Sequence, residues 1–183
     1  MAIFKQVEEK YTNEISAIKL IHYIKKGTGY WNCPTMLPGR DEVLWAQMNY
    51  IKRYYGKTDG NQLEHYVLSF DTEGVERNIT VAKIQGCCNI LSVIFKDYQP
   101  IWAIHFKETH YHIHLVINTV NSETGLKYHK GPREFNDLLK RIANELAYLQ
   151  IALQPITYFD EYGRLQYGSV PSTYLYQYKE FWW

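Results

Sequence analysis

Four of the seven histidines fall within ten residues, at His105, His110, His112 and His114. On an extended chain, side chains two apart project from one face. His112 and His114 can therefore meet a single ion, with Val116 and Asn118 continuing their face. Ile113, Leu115 and Ile117 take the opposite face, suited to burial against a helix. His105 lies on the preceding extended run across a short connection, so it reaches the same face from the next strand. Neutral imidazole nitrogens are ordinary ligands of divalent transition metals, and the chemistry this pattern offers is metal-assisted. A bare His-x-His on a strand is more often a polar sheet face; with His105 at hairpin distance, a polar face and a metal site carry about equal weight. Spacing alone names neither metal nor reaction, and His110 reads equally as a turn residue or a partner of a ligand.

The elements around these residues are legible from caps and periodicity. A helix is predicted from about Asn13 to Lys26, with Asn13 as N-cap, Gly27 as stop, and Ala17, Ile21 and Ile24 on its apolar stripe. Gly27 to Gly39 reads as an irregular loop. A second helix, Asp41 to Tyr55, places Leu44, Met48, Ile51 and Tyr55 inward. Glu64 to Phe70 reads as a strand. A third helix, Ile79 to Phe95, is expected to bury Val81, Ile84, Cys88, Leu91 and Phe95. Strands follow near Pro100–Phe106 and Tyr111–Thr119, with a short one near Leu126–Tyr128. A fourth helix, Glu134 to Leu149, buries Leu138, Ile142, Leu146 and Leu149. The segment from Pro155 alternates turn residues and aromatics without a resolvable pattern. This order predicts an α+β fold, a central antiparallel sheet flanked by helices.

Composition bounds the function. The 183 residues suit one domain, 1–183, or a domain taken from a longer protein, and 46% hydrophobic residues exclude wholesale disorder. Aromatics at 16%, 17 of them Tyr, fit base stacking as well as a core. A formal charge of +1 is low for a free-standing DNA binder, so any nucleic-acid contact has to come from a local groove. The three cysteines, Cys33, Cys87 and Cys88, form no C-x-x-C pair and argue against a disulfide framework. The expectation is a cytoplasmic chain with no membrane association.

With these residues in place, the chain resembles the mobilisation relaxases of plasmids and integrative elements, within the HUH endonucleases. His105, six intervening residues, then His112-x-His114 and Asn118 match that family's histidine motif. Ala17 to Ile24, containing His22 and Tyr23, resembles the first relaxase motif, and Tyr55 to Gly60 with His65 to Phe70 the second. Asn121 to Tyr128 resembles the segment after the histidines. Tyrosine before histidines is the relaxase order; replication initiators usually reverse it. Two departures stand out. Lys107, followed by Glu108, occupies a position that is often acidic, and Asp71 to Gly74 replaces an expected glycine-glutamate pair.

The resemblance implies that His105, His112 and His114 hold Mn²⁺ or Mg²⁺ and that Tyr23 is the nucleophile. It implies nicking of single-stranded or hairpin DNA at an origin of transfer, through a 5′-phosphotyrosine, with accessory relaxosome proteins and a coupling protein as partners. A phenol titrates near pH ~10 in model compounds, so a tyrosine nucleophile needs help at neutral pH. Lys19 and Lys26 lie on its helical flank, though both also suit a solvated face. His22 is the main rival nucleophile, followed by Tyr54 and Tyr55. Ser69, Glu108, His110 and Asn118 are candidates for orienting a ligand or contacting DNA. Arg40, Lys52, Arg53 and Lys57 are candidates for a DNA groove, or singly for a solvated helix face. Competing readings are an HUH replication initiator or transposase-like nuclease, a strand-borne histidine metalloenzyme such as a cupin-like oxygenase, and a non-catalytic DNA-binding module that retains the metal face.

Overall fold

A computed structural model describes residues 1–71, 79–106, 110–129, 131–160 and 162–168. Its order is β1 (Ala2–Gln6), α1 (Glu14–Lys25), β2 (Trp31–Asn32), α2 (Asp41–Tyr54), β3 (Leu63–Asp71) and α3 (Val81–Ile94). There follow β4 (Ile101–Phe106), β5 (His110–Asn118), α4 (Pro132–Ala147), β6 (Leu153–Gln154) and the hairpin β7 (Thr157–Phe159) and β8 (Leu165–Tyr167). Six strands form one sheet in the order β2-β4-β5-β3-β1-β6. Every pairing in it is antiparallel except the parallel contact of β1 with β6. The α+β architecture expected from the sequence is the one observed.

The two faces of the sheet carry separate cores. On one, Ile113, Leu115 and Ile117 of β5 join Tyr66 and Leu68 of β3, Ile104 of β4 and Phe4 of β1 beneath α3 and α4. On the other, Val116, Leu63, Ile101 and Ala103 pack under α1 and α2. The alternation read in β5 is therefore the one that builds the layers. Full burial of side chains such as Ile21, Ile24, Leu44 and Met48 contributes roughly 1.5–3 kcal/mol each.

Helix α1 starts where the sequence indicates. Asn13 Oδ1 accepts the Ser16 N–H at 2.9 Å and Ser16 Oγ accepts the Asn13 N–H at 3.2 Å, a reciprocal capping box. Gly27 follows at φ 76°, a conformation that ends the helix. In α3, Gly86 stands where a Cβ would lie 2.9 Å from the Leu149 side chain. Close helix approach thus offsets its helix-propensity cost of roughly 1 kcal/mol.

Several expectations change. The short strands β1, β2 and β6 and the β7–β8 hairpin were not anticipated, because two to five residues carry too little periodicity and depend on their ladder partners. The expected strand at Leu126–Tyr128 is a single bridge, Val120 to Lys127. Val81 is exposed, and Cys87 joins Cys88 on the buried side of α3. Tyr55 is only partly buried, its hydroxyl donating to the carbonyls of Ser122 (3.2 Å) and Glu123 (3.1 Å). Lys52 cannot line a groove, because it is wholly buried, donating to the Gln62 carbonyl at 2.6 Å and Thr119 Oγ1 at 2.9 Å.

Candidate active site

The strand register brings the three histidines together. His105 of β4 pairs directly with His112 of β5, and His114 lies opposite Ala103 on one side and Val67 on the other. One candidate ligand atom from each of His105, His112 and His114 lies within 4.8 Å of the others. Ring centroids are 4.6 Å apart for His105–His114, 4.9 Å for His112–His114 and 5.3 Å for His105–His112. His112 and His114 are buried, while His105 is half-buried at the rim. Three convergent imidazoles fit a divalent transition ion. His105 Nε2 donates to the Ile24 carbonyl of α1 at 2.7 Å, so in the neutral ring Nδ1 is the nitrogen that can bind. Anchoring of the second ring nitrogen is the usual way a ligand histidine is held.

Helix α1 crosses this face and delivers Tyr23. Its ring meets His114 edge-on at 5.5 Å and His65 at 6.4 Å between centroids. Tyr23, His65, His114, Tyr11 and Lys19 line one cleft of about 440 Å³. Tyr23 remains 55% exposed, accessible to a large substrate. Successive helical side chains diverge by about 100°, and His22 accordingly points elsewhere. Its Nδ1 bonds Asp41 Oδ2 at 3.0 Å, and it lines a different cleft with Lys25, Lys26, Trp31 and Arg40. Burial pulls the Asp41 pKa up, but bonds from Lys25 and His22 outweigh it and hold the carboxylate below its usual range.

The remaining candidates separate. Lys19 shares the Tyr23 cleft, and Lys26, the C-cap of α1, lies in the His22 cleft. Ser69 is the cross-strand neighbour of His112. Asn118 is fully buried, its Nδ2 donating to the Met48 carbonyl at 3.0 Å and Gln99 Oε1 at 2.7 Å, which ties α2 to the sheet. His110 opens β5 and pairs with Asp71 through its backbone; its side chain lies outside the described part. Lys107 and Glu108 lie outside the described residues, as does the Thr72–Gly74 stretch. Tyr54 and Tyr55 meet edge-on, 4.9 Å between centroids, at the C-terminal end of α2 and outside the cleft that holds Tyr23.

Two residues not singled out from the sequence complete the cluster. His65 Nε2 and His114 Nδ1 share a hydrogen bond of 2.9 Å, and His65 Nδ1 lies 3.4 Å from the Tyr11 hydroxyl. Tyr11 in turn donates to Glu9 Oε2 at 3.2 Å. Burial pushes the His65 pKa down to about 4, so the ring is neutral near pH ~7. Burial raises that of Tyr11 above its ordinary value, reinforced by Glu9. The available signal was the alternation His65-x-Val67-x-Ser69, which puts all three on the histidine face.

A sheet that presents three histidines beneath a tyrosine-bearing helix is an α+β metal-site architecture, and comparison with known proteins narrows it. Residues 23–148 match the family described as Relaxase: MobA/VirD2-like, nuclease domain, and the chain belongs to that family. A protein rlx of Staphylococcus aureus is 34% identical over 140 residues, 72% of this chain and 40% of that protein. A second protein rlx from the same organism is 33% identical over 115 residues, 56% of this chain and 33% of its own length. The chain thus spans about a third to two-fifths of these relatives. The MobM relaxase domain (MOBV; Mob_Pre) bound to 26-nucleotide pMV158 oriT DNA has the same fold, at TM-score 0.58 and 10% identity, covering 84% of this chain and 89% of that one. A Mn-bound form of that domain at pH 6.8 gives TM-score 0.57 and 12% identity, covering 83% and 88%.

Proposed function

We propose that this chain is the nicking domain of a relaxase, cutting single-stranded DNA at an origin of transfer and holding the cut end on Tyr23. The observation that carries this reading is the edge-on approach of Tyr23 to His114, 5.5 Å between centroids, at the open margin of the histidine cluster. The likeness to MobM domains bound to oriT DNA supports the substrate class.

His105, His112 and His114 would hold the ion, for which an all-nitrogen donor set suits Mn²⁺ or a later metal better than Mg²⁺. When bound, a divalent ion supplies positive charge against the phosphate oxygens as phosphorus becomes crowded. Tyr23 Oη attacks the phosphorus as its proton leaves. The new bond joins Tyr23 to the 5′ phosphate, the bond from phosphorus to the 3′ oxygen breaks, and that oxygen leaves as a 3′-hydroxyl. The phosphodiester energy is retained for rejoining. Lys19, one turn before Tyr23 in the same cleft, places a positive charge where an incoming phosphate would lie.

The test is incubation with Mn²⁺ and a panel of origin-like single-stranded oligonucleotides labelled at the 3′ end, read on a denaturing gel. A labelled covalent adduct is expected, lost in Tyr23→Phe and in His112→Ala and retained in His22→Ala. Loss with His22→Ala and persistence with Tyr23→Phe would move the nucleophile. Tight binding of a cognate strand with no adduct would leave a binding module in place of an enzyme.

A further inference from the structure

Beyond the ligands and nucleophile, the Glu9–Tyr11–His65 chain has no role in the reading above, yet it ends on His114. We propose that Tyr11 and His65 are positioning residues, a hydrogen-bond relay that locks His114 in the tautomer presenting Nε2 to the metal. This rests on the relaxase reading for the metal but not for the relay itself.

The relay follows from counting donors. The Tyr11 hydroxyl has one proton and donates it to Glu9 Oε2 at 3.2 Å, so towards His65 it offers a lone pair. His65 Nδ1, 3.4 Å away, therefore carries the ring proton. A neutral imidazole with its proton on Nδ1 has only a lone pair at Nε2. The 2.9 Å bond from His65 Nε2 to His114 Nδ1 then requires the His114 proton on Nδ1. The lone pair of His114 is left on Nε2, on the side away from His65.

The components are held from outside the histidine cluster. Tyr11 is buried; its N–H donates to Asn61 Oδ1 at 2.7 Å and its carbonyl accepts the Gln62 N–H at 2.7 Å. Both partners precede β3, the strand that carries His65, so one segment sets both members of the relay. The His65 and His114 rings lie end to end, 29° from coplanar with centroids 5.2 Å apart, as a near-linear bond between their nitrogens requires. The bond thus fixes both the tautomer and the ring orientation. Partners of this kind typically alter metal affinity by about 10–100-fold when removed.

The test has two readouts, neither needing DNA. Long-range ¹H–¹⁵N spectra of the metal-free protein at neutral pH report each histidine's tautomer, and calorimetric titration with Mn²⁺ reports affinity. The expected result is the Nδ1–H tautomer for both His65 and His114. Tyr11→Phe should shift both rings towards a mixture. His65→Leu should weaken Mn²⁺ binding by about 10-fold or more. His65→Gln, whose amide oxygen can still accept from His114 Nδ1, should hold affinity within about threefold of the parent. His114 with its proton on Nε2 would overturn the relay, as would unchanged Mn²⁺ affinity in His65→Leu. A correct tautomer pair in a protein that binds no Mn²⁺ would instead uphold the relay and remove the metal reading. Thermal melts of each folded variant separate a positioning effect from general loosening.

Discussion

His65 is buried against Tyr23, His114 and Tyr11, and its burial has a consequence for stability. Burial lowers its pKa from 6.5 to about 4. Between those values the unfolded chain binds a proton that the folded ring refuses. Stability from this group is therefore complete above pH ~6.5 and lost as pH falls towards ~4, by roughly 3 kcal/mol in all. Urea denaturation of metal-free protein between pH ~4.5 and ~7 should show that slope, and His65→Gln should reduce it by about one proton. An identical slope in the variant would mean that His65 is solvated or protonated in the native state. The same scale decides between adjacent residues on α1: Tyr23 meets His114 while His22 is spent on Asp41, so their one-residue separation is a difference of pocket.

Between elements, Lys52 is the clearest fastener. It reaches from α2 to the Gln62 carbonyl ahead of β3 and to Thr119 just after β5. Burial lowers its pKa from 10.5 to about 7, with Lys127 adding repulsion. Here the unfolded chain holds the extra proton above pH ~7, so stability rises with pH from about 7. The slope approaches roughly 1.4 kcal/mol per pH unit until the thiols of the unfolded chain begin to ionise. Burial raises the Cys87 and Cys88 pKa values above the ordinary thiol range, which opposes the gain at higher pH. Chemical denaturation at pH ~7 to ~8.5 should show the rise, and Lys52→Met should flatten it. A flat parent profile would place the ammonium in contact with water. Asn118 makes a parallel link, from β5 to the Met48 carbonyl of α2. Both ties hold the helix layer that carries Tyr23 against the sheet that carries the histidines.

For the molecule as a whole, the site lies where the α1–α2 layer meets the sheet, with three histidines on two adjacent strands. Such a site is preformed by folding, so an ion that binds only the native state adds stability by mass action. Mn²⁺ at about a hundred times its dissociation constant should add about 2.7 kcal/mol and raise Tm by roughly 5–10 °C. Chelator should reverse the shift, and His112→Ala should abolish it. An equal shift in His112→Ala would locate the ion elsewhere. Among the described residues no helix is long and apolar enough to cross a membrane.

Sequence alone determined what depends on local period and end chemistry. The capping box at Asn13, the stripes of α1 and α4 and the alternation of His112, His114 and Val116 are written within a few residues of chain. The His105–His112 pairing was also legible, because a short connection leaves few registers open. Tertiary structure decided everything that joins distant segments. His65 and His114 are 49 residues apart and Tyr11 and His65 54 apart, so no local pattern announces their bonds. The short strands β1, β2 and β6 exist through their neighbours, and Lys52 looked like a surface cation until α2 docked over Gln62 and Thr119. The turn of α1 that aims Tyr23, and not His22, at the cluster is set by packing Ala17, Leu20, Ile21 and Ile24 into the core. Periodicity finds a helix and its buried stripe, but only the docked layers say what stands opposite the edge of that stripe.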